Sequence, residues 1–269
     1  MKRLWLLILV GGLLAFAGCL EKPAAVVNGR SISQTELQQQ AAQRYGKEVL
    51  DDLIIITLVD QSFDKQKLKL DPKELQLRTA NLMKFYSIKS KIDSGATTVA
   101  DFEKNYRMLS ELRLLLGDKI NDAELKQMFM SNPTSFIAIH PQVLFCSDPK
   151  TAAKLQEQLK KGADFGKLAA QNNPEPLKKN NGDLGFLLPS DMSLGMLYAA
   201  GMKMKPGEVK MLPLGNGQCC LVKLLDKLDT FDQVHFLMED GMVTKLAPEL
   251  IQDLKSKAKI KTMYDQKNG

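Results

Sequence analysis

Apolar residues recur at helical spacing through the first half of this 269-residue chain. After a short apolar segment, residues 24–32, that is broken by the turn pair Asn28-Gly29, polar capping residues precede each periodic run. In Ser33-Gln34-Thr35-Glu36 a serine is followed three positions later by a glutamate, which is the spacing of a helix capping box. The pattern therefore predicts a mainly helical region that ends near Asn132. The predicted helix starts are Ser33, Lys47, Asp71, Thr98 and Asn121.

Between residues 142 and 226 the pattern alternates between strand and helix. Ala152 and Leu155 have helical spacing, whereas the turn pair Pro206-Gly207 precedes a β-type run at residues 209–213. In order, the elements are strand, helix, helix, strand, helix, strand and strand. That order is typical of helices packed on a small antiparallel sheet, so the predicted fold class is α+β.

The tail of the chain is predicted to form a helix followed by a short strand. Thr230 and Gln233 have capping-box spacing at the start of this helix, and residues 257–260 have the pattern of a strand. Apolar segments thus lie near both chain ends, at residues 26–27 and 260–263. Because each of these short segments needs an edge partner, we expect them to pair.

Composition and charge change this picture little. Charged residues make up 25% and hydrophobic residues 44% of the chain, which is ordinary for a globular protein. The length fits about two domains. The formal net charge is +6, but no basic cluster is interleaved with aromatic residues, so nucleic acid is not an expected partner.

The N-terminus has the pattern of an export signal. Basic residues precede an apolar run, residues 4–16, that is too short for a comfortable membrane span. The run closes with Phe16-Ala17-Gly18-Cys19, which resembles the lipobox of bacterial lipoproteins. This resemblance implies a signal peptide at residues 1–18, acylation of Cys19 and attachment to the membrane through the lipid. The alternative is an ordinary cleaved signal with an incidental cysteine.

The other cysteines do not predict a disulfide framework or a metal site. Cys146, Cys219 and Cys220 are an odd number of thiols in an exported chain. Cys219 and Cys220 are adjacent on a predicted strand and therefore point to opposite faces. The spacings typical of zinc sites are absent, and we expect neither a metal nor an organic cofactor.

A series of sequence blocks in the central region resembles the parvulin (PpiC-type) family of peptidyl-prolyl isomerases. The central block is Gly182-Asp183-Leu184-Gly185-Phe186, and the order and spacing of the other blocks match the family over about ninety residues. The remaining blocks are residues 151–169, Met192 with Ala199-Ala200, residues 205–209 and residues 220–224. The resemblance implies a parvulin-like sheet with helices.

The flanking regions resemble extracytoplasmic foldases and periplasmic chaperones that carry parvulin domains. In such proteins the two chain ends form one mainly helical, chaperone-like domain to which the parvulin module is attached. The predicted organisation is a lipoprotein signal peptide (1–18), a helical N-terminal region (19–137), a parvulin-like domain (138–228) and a C-terminal helix and strand that fold back on the N-terminal region (229–269).

The family's active-site positions fall on specific residues of this chain. The apolar proline pocket falls on Leu184, Met192 and Met196. The two histidines of the family fall on Gln142 and Cys220, and its cysteine or aspartate falls on Glu175. Both histidines are therefore replaced, and the resemblance implies reduced isomerase activity.

The chain has two other histidines. His140 lies two residues before Gln142 and would share its strand face if the strand extends that far, so it is either a surface histidine or a partial substitute. His235 lies on the predicted tail helix and is expected to be structural.

The resemblance implies a lipid-anchored folding factor in the cell envelope. Its partners would be folding exported polypeptides with X-Pro bonds, and it would face the periplasm, with the outer membrane favoured in a Gram-negative host, or the extracytoplasmic side of the cell membrane. The alternatives are a non-catalytic holdase chaperone and a scaffold lipoprotein of an assembly machine.

Overall fold

The computed structural model describes residues 22–264, so the predicted signal peptide and Cys19 lie outside the described residues. The chain divides into two compact units, one holding the residues up to Ile54 with those from Ile260 onward, the other holding residues 55–259. Within the described part, no helix is long and apolar enough to cross a membrane. The strands are β1 (Ala25–Val27), β2 (Arg30–Ile32), β3 (Ala138–Cys146), β4 (Val209–Gly215) and β5 (Gln218–Leu228). The helices are α1 (Gln34–Lys65), α2 (Pro72–Leu82), α3 (Tyr86–Asp93), α4 (Val99–Leu116), α5 (Asp122–Ser131), α6 (Pro149–Lys160), α7 (Phe165–Asn172), α8 (Gly195–Met202) and α9 (Phe231–Lys257).

The first unit opens with a β-hairpin. β1 and β2 pair antiparallel around Asn28-Gly29, whose φ angles of 51° and 82° suit a tight hairpin turn. The predicted pairing of β1 with the tail is therefore wrong: β1 pairs with β2, and residues 258–264 form no strand. A short turn costs much less chain entropy than joining the two chain ends. The tail instead contacts α1 through Tyr264, whose hydroxyl donates to the carbonyl oxygen of Ala42 at 2.6 Å.

One helix replaces two predicted helices at this end of the chain. The sequence predicted a break before Lys47, but α1 runs without interruption through Gly46. The Tyr264 hydroxyl lies so close to Gly46 that a Cβ added there would collide with it. The glycine lowers helix propensity but provides the space that this contact requires.

The opposite error occurs between Asp71 and Ser94. The sequence predicted one helix there, and the structure has α2 and α3 separated by residues 83–85. The Lys84 carbonyl oxygen accepts a hydrogen bond from the Phe186 amide, and the Tyr86 amide donates to the Phe186 carbonyl, both at 2.8 Å. A distant segment thus takes backbone groups that a continuous helix would have used.

The predicted α+β class is confirmed by a three-stranded antiparallel sheet in the order β3-β5-β4. On one face, Leu144 and Leu221 pack with α6 and α7. On the other face, Val143 and Val222 pack with Leu184 and α8. The two faces follow from the period-two alternation of buried strand residues.

In the second unit, a helix that precedes the sheet in the sequence packs against the helix that follows the sheet. Leu112 and Leu116 of α4 meet Val243 and Ala247 of α9 in one buried cluster. The predicted capping box of Thr230 and Gln233 starts α9 as expected. The predicted association of the N-terminal helical region with the C-terminal helix is confirmed.

Candidate functional site

The central block forms a tight turn beside β3. Gly182 and Gly185 have φ angles of 76° and 74°, in the left-handed region that disfavours residues with a Cβ. A Cβ at Gly182 would collide with the Val143 carbonyl oxygen, and one at Gly185 would collide with the Lys84 carbonyl oxygen. Close backbone approach on two sides therefore explains why the block contains glycine at these positions.

This turn forms one wall of an apolar cavity of about 370 Å³, which we call the Leu184 cavity. Its wall opposite the turn comes from α3 and the residue after it. The lining residues are Tyr86, Lys89, Ser90, Asp93 and Ser94 on the α3 side, and Pro176, Leu177, Asn180, Asp183, Leu184 and Leu194 on the other. A mostly apolar cavity with a few charged groups at its edge is the usual form of a site that binds an apolar ligand group.

A histidine–aspartate pair lies next to the Leu184 cavity. The Nε2 of His140 is 2.7 Å from Oδ1 of Asp183, and the Gly185 amide donates to the same oxygen at 2.7 Å. Burial acts to raise the pKa of the Asp183 carboxyl, but these hydrogen bonds and the electrostatic effects of His140 and Lys89 lower it below its ordinary value. The Asp183 side chain is therefore an anion at neutral pH.

His140 is more enclosed than a surface histidine. Its side chain is 20% exposed, and its ring centroid lies 4.7 Å from that of Phe186. β3 does extend through His140, but its pairing with β5 shifts register between His140 and Pro141. The extra residue, Leu225, lies on β5, so β3 keeps its alternation and His140 and Gln142 lie on the same face of β3.

Gln142 and Cys220, which occupy the family's two histidine positions, are both buried. Gln142 is 9% exposed, and its Nε2 donates to the Asn181 carbonyl oxygen at 2.8 Å. Cys220 is fully buried in the same cluster as Leu184, and burial, reinforced by nearby thiols, raises the pKa of its thiol to about 12. The structure thus brings Cys220 and Leu184 together and uses Gln142 to tie a loop to β3.

The other residues predicted from the family lie apart from this cluster. Glu175 is exposed on the loop before Pro176. Met192 is 86% exposed and Met196 is 58% exposed, and neither lines the Leu184 cavity. Leu194, between them in sequence, does line it.

Sequence reasoning missed the α3 side of the cavity. Tyr86 and Lys89 were assigned to the middle of a long helix, with no feature that linked them to residues a hundred positions away. Asp183 was recognised only as part of a family block, and its 2.7 Å contact with His140 joins residues that are 43 positions apart in the sequence. The only sign of this contact in the sequence was that an acidic residue and a histidine are able to pair.

His235 lies in an ion-pair network, which agrees with the structural role expected for it. Its Nε2 is 3.0 Å from Oδ1 of Asp122, and its Nδ1 is 3.7 Å from Oε2 of Glu239. These three residues are of metal-ligating types, but Glu239 is also paired with Arg78 and Arg113. Because the arginines already supply positive charge there, the cluster fits an ion-pair network better than a cation site.

Comparisons with known proteins identify a matching domain family and relatives of similar length. Residues 149–214 match the family described as the PPIC-type PPIASE domain, or rotamase. The chain is 25% identical to the foldase protein PrsA of Geobacillus sp. strain WCH70 over 282 residues, which covers 98% of this chain and 99% of that protein. It is 23% identical to the foldase protein PrsA of Halalkalibacterium halodurans over 268 residues, covering 94% of this chain and 80% of that protein.

Solved structures of similar proteins also align along most of the chain. The crystal structure of foldase protein PrsA from Streptococcus pneumoniae aligns with 91% of this chain and 96% of that chain, at 18% sequence identity and a TM-score of 0.40.

Proposed function

Because this chain carries a PpiC-type parvulin domain and is homologous to PrsA foldases, we propose that it assists the folding of exported polypeptides outside the cytoplasm. Its substrates are segments with X-Pro bonds. Its isomerase activity is lower than that of a parvulin with two active-site histidines, since Gln142 and Cys220 occupy those positions.

The observation that carries this proposal is the Leu184 cavity. A cavity of about 370 Å³ has room for a proline ring and part of a neighbouring side chain. Burial of that ring against Leu184, Leu194 and Tyr86 supplies affinity of about 25 cal/mol per Å² of apolar surface. The exposed Met192 and Met196 then contact the polypeptide on either side of the proline, where flexible methionines suit varied sequences.

Isomerisation requires more than binding. Rotation about an X-Pro bond breaks amide resonance, and a catalyst must stabilise the twisted amide more than the planar one. Lys89, Asp93 and Asp183 are charged groups that line the cavity, and with His140, the partner of Asp183, they supply the polar environment for this step. The thiol of Cys220 stays protonated in the core and is a weak donor, so it does not replace an imidazole.

The test compares the same substitution at two nearby positions. Leu194→Asp places a charge in the cavity, whereas Met192→Asp places it on the exposed surface two residues away. We expect Leu194→Asp to weaken binding of a proline-containing peptide at least about tenfold and Met192→Asp by about threefold or less. Fluorescence anisotropy gives the affinity of the full chain, and a protease-coupled assay gives the isomerisation rate. Equal affinities for the two variants, or a greater loss for Met192→Asp, would exclude the Leu184 cavity as the site.

The membrane anchor is a separate part of the proposal. The segment Phe16-Ala17-Gly18-Cys19 supports acylation of Cys19 and attachment to the envelope. Cys19→Ala should release the protein from the membrane fraction or leave its precursor unprocessed. Unchanged processing and membrane partition in this variant would contradict a lipid anchor.

A non-catalytic holdase is the second candidate. Methionines at Met128 and Met130 are 41% and 72% exposed, in addition to Met192 and Met196, and such surfaces bind unfolded chains without sequence preference. A holdase would suppress aggregation of a proline-free unfolded protein as well as of a proline-rich one. If Leu194→Asp removes isomerisation and leaves that suppression intact, the two functions reside on different surfaces.

A further inference from the structure

Two cysteines that are far apart in sequence are direct neighbours in the sheet. Cys146 is the last residue of β3, and its Cα partner on the antiparallel strand β5 is Cys219. Both are buried, at 4% and 2% exposure, in the cluster that packs against α6 and α7. They therefore share one face of the sheet.

The hydrogen bonds around β3 show which kind of strand pair this is. The amides of Ile139 and Val143 donate to residues 187 and 182, on the side of β3 away from β5. By alternation, the backbone groups of Cys146 point toward β5, so Cys146 and Cys219 form a hydrogen-bonded pair, with Cα atoms about 5.5 Å apart. Disulfides join cysteines whose Cα atoms are about 4.4 to 6.8 Å apart. The Cβ atoms of a disulfide lie about 3.5 to 4.5 Å apart, and the closing movement that this requires occurs at the last residue of β3.

The Cys219 thiol is the thiol that acts on Cys146. Burial, followed by interaction with the Cys219 thiol, raises the pKa of the Cys146 thiol to about 11. Cys220 has Phe145 as its β3 partner and lies in the cluster on the opposite face of the sheet. Adjacent strand residues point to opposite faces, so Cys220 does not take the place of Cys219.

We propose that Cys146 and Cys219 are an oxidation site, and that an intrachain disulfide joins β3 to β5 once the exported chain meets a disulfide oxidant. The site rests on the proposed location outside the cytoplasm, because thiols stay reduced in the cytosol. The odd number of cysteines that remain besides Cys19 does not oppose it, since Cys220 stays a buried thiol.

The reaction is thiol–disulfide exchange with a small or protein disulfide, RSSR. One cysteine thiolate attacks RSSR, forms a mixed disulfide and releases RS⁻. The second cysteine thiolate attacks the cysteine sulfur of the mixed disulfide, forms the Cys146–Cys219 bond and releases the second RS⁻. The two thiol protons pass to the released thiolates, so two cysteines are oxidised and RSSR is reduced to two RSH.

Timing follows from burial. In the folded chain both cysteines are buried, and burial raises the pKa of the Cys146 thiol to about 11, so exchange is slow. In the unfolded exported chain both thiols are accessible, and the bond forms as the two strands pair. The resulting cross-link closes the segment that contains α6, α7, the Gly182–Gly185 turn, α8 and β4.

The test uses the purified full chain, unfolded and reduced, then refolded either with oxidised glutathione or with dithiothreitol. Remaining thiols are alkylated, and peptides are mapped by mass spectrometry without reduction. We expect a cross-linked peptide pair containing residues 146 and 219 in the oxidised sample, with a mass two hydrogens lower than the sum of the two reduced peptides. The reduced sample should lack it. The oxidised form should melt about 5 to 10 °C higher, because the cross-link restricts the unfolded chain.

Cys220→Ser is the matched control, because it removes the neighbouring thiol on the opposite face. It should leave the cross-link and the rise in Tm unchanged, whereas Cys146→Ser and Cys219→Ser should each abolish both. A cross-link that persists in Cys219→Ser, no cross-link in any sample, or an oxidised form that melts no higher would overturn the proposal. The readout is independent of isomerase activity, so failure of the proposed foldase function would not produce these results.

Discussion

At the scale of single residues, the Asp183-His140 pair is the feature that the sequence did not predict. Asp183 accepts hydrogen bonds from the Gly185 amide and makes the 2.7 Å contact with His140, and it also faces Lys89. The carboxylate therefore fixes the turn and carries negative charge at the cavity edge. The same side chain serves the fold and the site.

Asp183→Asn tests this double role. The lowered pKa means that the carboxylate stabilises the folded state above pH 4, and that this contribution is lost as the pH falls through the folded-state pKa. At pH 7 we expect the substitution to lower the free energy of unfolding by about 1 to 2 kcal/mol, a value reduced for solvent screening because 41% of the side chain is exposed.

Urea unfolding at pH 7 and near pH 3 measures the difference between the variant and the wild type. Asp93→Asn is the control, since Asp93 lines the same cavity but forms only an i,i+4 pair with Lys89, worth about 0.3 to 0.5 kcal/mol. A difference for Asp183→Asn that is the same at both pH values would contradict the role of the charge.

Residue identity alone predicted some positions well and others poorly. Asp71, Thr98 and Asn121 cap their helices as expected, because a cap depends on groups two or three residues away. The neighbours of Cys146 and Tyr86 depend on segments far along the chain. Alternation correctly excluded a bond between Cys219 and Cys220, but the strand register that aligns Cys146 with Cys219 has no local signal.

At the scale of elements, the segment between α2 and α3 meets the turn at residues 182–187. Phe85 and Phe186 form a parallel bridge, and their rings lie 5.4 Å apart. A short strand between Gly182 and Gly185 was predicted, but the structure has isolated bridges in this segment, and the bridge to the α2–α3 segment was not predicted. The helical spacing of apolar residues in 71–94 did not indicate the break between α2 and α3, because a backbone bridge does not depend on the side-chain pattern.

Gly185→Ala should break this junction, and Gly95→Ala is its matched control. Both glycines have similar positive φ angles, 74° and 73°, so both substitutions incur a left-handed strain of about 1 to 2 kcal/mol. The Cβ at residue 185 would also collide with the Lys84 carbonyl oxygen, whereas no atom lies within 4 Å of a Cβ at residue 95.

We therefore expect Gly185→Ala to lower the free energy of unfolding by about 3 kcal/mol or more. Gly95→Ala should lower it only by the backbone strain of about 1 to 2 kcal/mol. Denaturant unfolding followed by circular dichroism compares the two. Equal losses would show that residues 84 and 185 separate easily and that the junction is not rigid.

At the scale of the whole molecule, one ion network joins helices from opposite ends of the second unit's sequence. Arg78 of α2 forms an ion pair with Glu239 of α9 at 2.5 Å and lies 3.8 Å from Asp240. Tyr106 of α4 donates to Asp240 at 3.1 Å. Burial raises the pKa of Asp240 to about 6, although the Tyr106 hydrogen bond and Arg78 oppose the shift.

Asp240→Asn should change how stability depends on pH. Between about pH 4 and pH 6 the folded wild type keeps a proton that the unfolded chain has released, so this carboxyl lowers the free energy of unfolding as the pH rises. Asparagine does not titrate. The stability of the variant relative to the wild type should therefore increase by up to about 3 kcal/mol between pH 4 and pH 7.

Urea unfolding at several pH values in this window measures the change. Asp253→Asn, an exposed position on the same helix, shows the effect of removing an acidic charge from α9 in general. A constant difference between Asp240→Asn and the wild type from pH 4 to pH 7 would mean that Asp240 does not titrate there.

The α3 wall of the Leu184 cavity has a consequence for how this chain could evolve. Residues 138–228, transplanted into another protein, would lose Tyr86 and Lys89 and would expose Phe186, which packs on Phe85. The module would keep its turn and its sheet but not its full binding surface. Under the proposed function, substitutions in α3 would change which polypeptides bind while residues 138–228 stay unchanged, and α3 lies outside residues 149–214, which match the isomerase family.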